Sequence, residues 1–278
     1  MLNRRQTRVW CATTFFTLAM VCVSGCSTTF SLGYEMGPFL VSRELEKRLP
    51  LSEQAEDKLD RELEAYFEWH RRKMLPVYVV ALEGWRVKVG TKRSTREWLW
   101  GDIEGLVADT LLPIGEIVCE PMSTYTPEDV AELRRMEAKA RGEQKKRRED
   151  ETPEERRERR WESFESFLED WIGDLEESQV KGWRQTFEQA MNTVTTRRGK
   201  GREEFELFLR ELEAGMSFGR CFEYMQGWLY PEPKIRAERN QHWVTVYDKV
   251  LSELSVEQRV HLDEELATWI GRFKGLQN

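Results

Sequence analysis

Few side chains in this sequence have a position that predicts reactive chemistry, and the most informative of them is Cys26. Cys26 directly follows Ser24 and Gly25, behind a short apolar run and a basic N-terminus with three arginines and no acid. A pair of small residues before the cut is what export cleavage prefers. Cleavage there would make Cys26 the first residue of the mature chain, and its thiol could then carry acyl chains.

The run from Val9 to Val23 is nearly uncharged, but it is shorter than the roughly 20 residues that a membrane-spanning helix needs. It therefore predicts a signal peptide over residues 1–25, with an uncleaved anchor as the alternative. Val23–Cys26 resembles the cleavage motif of bacterial lipoproteins. In that class, Ser27 rather than Asp after the cysteine implies the outer membrane, facing the periplasm. We thus expect lipid attachment, through diacylglyceryl and palmitate chains, at Cys26.

The charge balance excludes some partners. Loss of residues 1–25 removes three of 43 basic residues and none of the 50 acidic ones, so the mature chain has 40 against 50 and a formal charge of −10. Nucleic acid and anionic lipid both need clustered cations. We therefore expect no nucleic-acid partner, and membrane attachment only through the acyl chains on Cys26.

Two further thiols remain, Cys119 and Cys221. An exported chain meets an oxidising compartment, so they could form a disulfide bond. Two separate buried thiols are the alternative, since cysteine is among the most buried residue types. The spacing alone does not decide between them.

The remaining reactive side chains form no recognisable site. His70, His242 and His261 have no metal-binding spacing, and no C-x-x-C, Gly-rich phosphate loop or Ser elbow is present. His70 lies four residues from both Tyr66 and Met74, on or near an apolar stripe, which favours a partly buried histidine with satisfied hydrogen bonds. We expect no catalytic, cofactor-binding or metal-binding residues, no cofactor, and no enzyme activity.

The elements that position these residues all follow the helical period. Starts are predicted at Ser52, Ser94, Thr126–Pro127, Thr152 and Ser255, and Pro76 and Pro113 are expected to kink or end helices. Apolar stripes with a spacing of three and four residues follow each start. The fold class is therefore all-α, a bundle of six to nine amphipathic helices.

Three regions follow from this pattern: a signal peptide over residues 1–25, a lipidated cysteine with an N-terminal tether over 26–50, and a helical domain over 51–278. The stretch 141–160 has 16 charged residues of 20 and no apolar side chain able to form a core. It predicts a charged, solvent-exposed helical arm and a candidate boundary between two sub-bundles. The arm is either a solvated spacer or a docking surface for an anionic partner. Trp69 and Trp100 lie off the main stripes, as candidates for a ligand-facing or inter-helix surface.

Several helix-start patterns resemble a family of uncharacterised gammaproteobacterial lipoproteins. They are Trp69–Arg72 with Leu75–Pro76 and Tyr78, Thr152–Arg157, and Leu254–Gln258. This resemblance spans nearly all of the mature chain and implies an all-helical, lipid-anchored envelope protein, without implying an activity. Leu254–Gln258 is also loosely similar to the Leu-Thr-x-x-Gln motif of small periplasmic stress chaperones. A non-catalytic scaffold or interaction protein is the first hypothesis, followed by a chaperone-like binding protein, and then by an enzyme without a recognisable motif.

Overall fold

The structure is a computed structural model that describes residues 27–89, 98–149, 151–196, 198–231 and 233–277. Every regular element within these ranges is a helix, which confirms the predicted all-α fold. The α-helices, in chain order, are α1 (Ser27–Glu35), α2 (Gly37–Glu46), α3 (Glu53–Trp69), α4 (Leu75–Val89), α5 (Trp98–Met122), α6 (Pro127–Glu149), α7 (Pro153–Ile172), α8 (Glu177–Thr196), α9 (Arg198–Glu213), α10 (Phe218–Leu229), α11 (Pro233–Ser252) and α12 (Val256–Leu276). Residues 1–26, with the predicted signal peptide and Cys26, lie outside this description.

Helix starts follow the local capping signals. Ser52 accepts a hydrogen bond from the backbone N–H of Ala55, and Thr152 and Ser255 form complete capping boxes with Glu155 and Gln258. Each box satisfies backbone N–H groups that have no partner inside the helix. These three starts are confirmed, whereas the box predicted at Ser94 lies outside the described residues.

The N-terminal segment differs from its prediction. Instead of a tether, residues 27–46 form α1 and α2, which partly explains why the described helices outnumber the six to nine expected. Phe30 is buried against Trp269, with ring centroids 5.4 Å apart. A Cβ added at Gly37 would overlap the Phe67 ring, so glycine permits α2 to approach α3 closely. The segment is therefore packed against the bundle.

Two prolines were expected to interrupt helices, and the outcomes differ. A π-helical turn, His70–Met74, precedes Pro76, and the Leu75 N–H donates to the His70 carbonyl five residues back. Pro113 does not end its helix, because α5 continues to Met122. The carbonyl of Thr110, next to Asp109, accepts a 2.9 Å hydrogen bond from the Tyr66 hydroxyl of α3. Burial of Ile114 and Val118 in the core holds the helix past the missing N–H of Pro113, whose usual acceptor would be the Asp109 carbonyl.

The helices form two main hydrophobic cores. The first core has contributions from α4, α7, α8, α11 and α12, with Phe30 of α1, and centres on the fully buried Trp161 and Trp183. The second core comes from α3, α5, α6, α9 and α10. Each core contains helices from before and from after residues 141–160. The chain therefore passes from one core to the other several times, and the predicted boundary at 141–160 is only one of these passages.

A disulfide bond joins α5 to α10 inside the second core. Cys119 and Cys221, 102 positions apart in sequence, have Cα atoms 5.6 Å apart, and both side chains are fully buried. This distance lies within the range that a disulfide spans without backbone distortion. Of the two alternatives left open by the sequence, the structure has the bonded pair.

Candidate functional site

Most of the predicted reactive residues stay apart in the fold. His70 lies in the π-helical turn, His242 in α11 and His261 in α12. Within the described ranges, no group of three or more His, Cys, Asp or Glu side chains could hold a metal ion. The described residues include a buried polar cluster around His70 and several exposed apolar or charged helix faces.

The polar cluster, which we call the His70 hub, comprises Tyr34, Tyr66, His70, Tyr78 and Thr110. The imidazole Nδ1 lies 2.9 Å from the Tyr34 hydroxyl, and Nε2 lies 3.0 Å from the Tyr78 hydroxyl. Tyr78 also bonds the Thr110 hydroxyl, whose backbone carbonyl accepts from Tyr66. The hub thus connects α1, α3, α4 and α5 through the π-helical turn.

Burial keeps the hub uncharged at neutral pH. It lowers the pKa of His70 to about 4 and raises the pKa of Tyr78 to about 12. His70 is only 9% exposed, and both its ring nitrogens are bonded to tyrosine hydroxyls. The imidazole therefore connects helices, which confirms the predicted satisfied hydrogen bonds, although His70 is more deeply buried than the sequence predicts.

The low pKa of His70 predicts a dependence of stability on pH. Since the pKa is about 4 in the folded state and near 6.5 when unfolded, the unfolded chain binds the proton first. The stabilisation by neutral His70 should therefore be complete above about pH 6.5 and lost as the pH falls towards about 4, by about 3 kcal/mol. Urea unfolding across this range should show a shallower loss for His70→Gln than for the wild type.

Thr110→Val provides the control for this experiment. The substitution removes a hydroxyl that bonds Tyr78 and the Leu106 carbonyl, so it should lower stability by about 1 kcal/mol at every pH. It leaves the imidazole in place, and the pH dependence should match that of the wild type. Equal pH dependence in His70→Gln and the wild type would contradict the assignment.

The charged arm is helical and largely exposed, as predicted. Its described cations pair mostly with nearby acids: Arg157 lies 2.6 Å from Glu154, and Arg159 lies 2.8 Å from Glu151. At the base of the arm, Arg141 contacts glutamates on α6 and α9. The side chains of Arg147 and Arg148 lie outside the description. Because the pairs neutralise each other, the arm fits a solvated spacer better than a docking surface for an anion.

Of the two candidate tryptophans, the structure describes the side chain of Trp69 alone. Trp69 packs against the second core and lies 5.7 Å from the Tyr66 ring, between centroids. It therefore belongs to an inter-helix surface rather than to a ligand-facing one. The side chain of Trp100 lies outside the described set.

One face of α4 was missed by the sequence interpretation. Leu75, Val79 and Leu82 face the first core, while Val77, Val80 and Val87 are exposed on the opposite side, the last two at 68% and 69%. With Gly84, these exposed residues are spaced by three, four and three positions, which places them on one line of the helix. We call this line the α4 seam. Apolar residues at helical spacing on two opposite faces were the available signal.

None of the helices within the described ranges is long and apolar enough to cross a membrane.

Comparison with models of known protein families gives a match. The model of a family of unknown function (DUF6279) matches residues 47–218, more than half of the chain. No curated protein matches. No solved structure matches either.

Proposed function

We propose that this chain, which belongs to the family of unknown function DUF6279, is a non-catalytic, lipid-anchored protein that binds a helix of another envelope protein through the α4 seam. Acyl chains on Cys26 would hold it on the periplasmic face of the outer membrane. The Val23–Cys26 motif and the following Ser27 support this address. The buried Cys119–Cys221 disulfide supports it too, because such bonds persist in oxidising compartments.

The α4 seam is the observation that carries the binding role. A helix with apolar residues all round is usually buried on all sides, yet Val77, Val80 and Val87 are exposed. Their spacing is that of a coiled-coil contact, in which side chains of one helix fit between those of another. A Cβ at Gly84 would meet nothing within 4 Å. The seam therefore has room for a partner helix at close approach.

The interaction is tested by photo-cross-linking in cells. A photoreactive amino acid in place of Val80 should form one defined adduct, because the seam should be covered by a single partner. The same group in place of Lys146, which is exposed on the charged arm, should form little or none. An adduct of twice the chain mass would identify the partner helix as belonging to a second copy. Adducts with many unrelated proteins would instead favour the chaperone hypothesis.

The same cells test the anchor. The Val80 adduct should sediment with the outer-membrane fraction. The Cys26→Ala protein should remain at the size of the precursor and should be absent from that fraction. Mature-sized Cys26→Ala protein in the outer-membrane fraction would contradict lipid anchoring. Equal cross-linking at Val80 and Lys146 would contradict the α4 seam as the binding surface, independently of the anchor.

A further inference from the structure

The outer side of α1 and α2 is a second exposed apolar line, which we call the N-terminal stripe: Leu32, Met36, Phe39 and Leu40. Leu32 and Phe39 are 61% and 58% exposed. The Met36 N–H donates to the Leu32 carbonyl, and the Leu40 N–H donates to the Met36 carbonyl, at 3.1 and 3.0 Å. These bonds continue the helical path across the junction of α1 and α2, so residues four positions apart share one face.

The opposite side of the same helices is fixed to the bundle. Phe30 is buried against Trp269, and Val41 is buried with Leu59 and Leu63 of α3. Tyr34 joins the His70 hub through its hydroxyl. The stripe is therefore held in a defined orientation by the rest of the fold. Helices that are apolar on both sides require a second apolar surface to cover the exposed side.

We infer that the N-terminal stripe lies in the surface of the lipid bilayer to which Cys26 is attached, and that it sets the orientation of the bundle on the membrane. This inference rests on the proposed lipid anchor. Leu32 is six positions after Cys26 in the sequence and five after Ser27, where α1 begins, or about 8 Å along α1 from its first residue. The acyl chains would thus hold the stripe at the depth where amphipathic helices bury their apolar faces, about 5–10 Å into the interface.

Charge near the stripe fits this placement. Arg43 follows Phe39 by four positions, and its guanidinium lies 6.0 Å from the centroid of the Phe39 ring. A cation at the edge of an apolar line can reach lipid phosphates while its stem stays in the interface. Glu35, the nearest acid, pairs with Arg71 at 2.5 Å. Since the mature chain is acidic, the contact would depend on apolar side chains rather than on a basic patch.

The geometry also predicts how the helices lie. From Leu32 to Leu40 the stripe extends about 12 Å along the helical path. All of its residues can enter the interface together only when this path is close to parallel to the membrane plane. An upright path would leave Phe39 and Leu40 far from the acylated cysteine and in water.

The test uses the acylated full mature chain, reconstituted in vesicles of phosphatidylethanolamine and phosphatidylglycerol. An environment-sensitive fluorophore is attached at Met36→Cys, on the stripe, or at Lys146→Cys, on the arm. Brominated lipids should lower the emission at position 36 about twofold or more, because the label lies about 5–10 Å deep, and should leave position 146 unchanged. Leu32→Glu combined with Phe39→Glu should abolish the quenching at position 36.

Val256→Glu combined with Val260→Glu is the matched control, since these exposed valines of α12 lie outside the stripe, and it should keep the quenching. Mass spectrometry of the mature N-terminus separates the two proposals. If Cys26 is acylated and position 36 is quenched no more than position 146, the orientation is refuted while the anchor stands. If Cys26 is not acylated, the anchor fails. The inference, which rests on the anchor, then fails with it.

Discussion

Trp183→Ala is expected to lower the free energy of unfolding by about 3–5 kcal/mol, the range for truncating a large buried aromatic side chain. Trp183 is fully buried at the centre of the first core. Its indole N–H also donates to a Glu253 carboxylate oxygen at 2.7 Å. The substitution would therefore leave a cavity and remove a hydrogen bond. Urea unfolding followed by circular dichroism measures the loss.

Trp171→Ala provides the comparison. From the sequence alone, Trp171 is expected to have the same large cost, because it lies on the stripe of α7. In the structure it is only partly buried at the edge of the first core and stacks on Trp269, with ring centroids 6.2 Å apart. Its truncation should therefore cost less than that of Trp183, since part of the cavity would open to water. An equal or larger loss of stability for Trp171→Ala would contradict the assignment of Trp183 to the centre of the first core.

This difference shows what helical periodicity encodes. Spacing identifies which side of a helix is apolar, and it correctly selects Trp161, Phe164 and Leu168 as buried. It does not give the depth of a residue along the helix, which depends on the neighbouring helices that cover it. Trp171 and Trp161 both belong to the predicted stripe, but they lie about 80° apart around the helix, and only Trp161 is covered on all sides.

Capping was predictable because it is local. The bonds at Ser52, Thr152 and Ser255 join residues three positions apart, so the sequence contains both partners. The continuation of α5 through Pro113 was not predictable in this way. It depends on core contacts of residues such as Ile114 and Val118 with other helices.

The exposed lines were missed for a related reason. The sequence pattern places Val77 and Val80 in a helix that continues after Pro76, but the pattern does not show whether both faces of that helix are buried. Leu32 and Phe39 fell in a segment interpreted as a tether. An apolar pattern does not identify the helix that packs against it. Only the arrangement of the helices shows which apolar side of a helix is already covered by another one. The charged arm, in contrast, was predictable, since no side chain in it can form a core.

Replacing both cysteines of the disulfide, as Cys119→Ala with Cys221→Ala, is expected to have an effect of similar size. The bond closes a loop between positions separated by 102 residues. In the chain-entropy account, opening a loop of this length costs about 4–5 kcal/mol, because the unfolded chain gains freedom. Both side chains are fully buried, so lost packing would add to the cost. Urea unfolding of the oxidised wild type and the double variant measures the difference.

A reducing agent supplies the decisive comparison. Reduction during unfolding should bring the wild type close to the double variant, and it should leave the double variant unchanged because no other described cysteine remains. The Trp183→Ala variant, with its disulfide intact, should still lose stability on reduction, since the two effects arise in different cores and should be nearly additive. A wild type that unfolds identically with and without reductant would contradict the bond, and with it the structural support for an oxidising compartment.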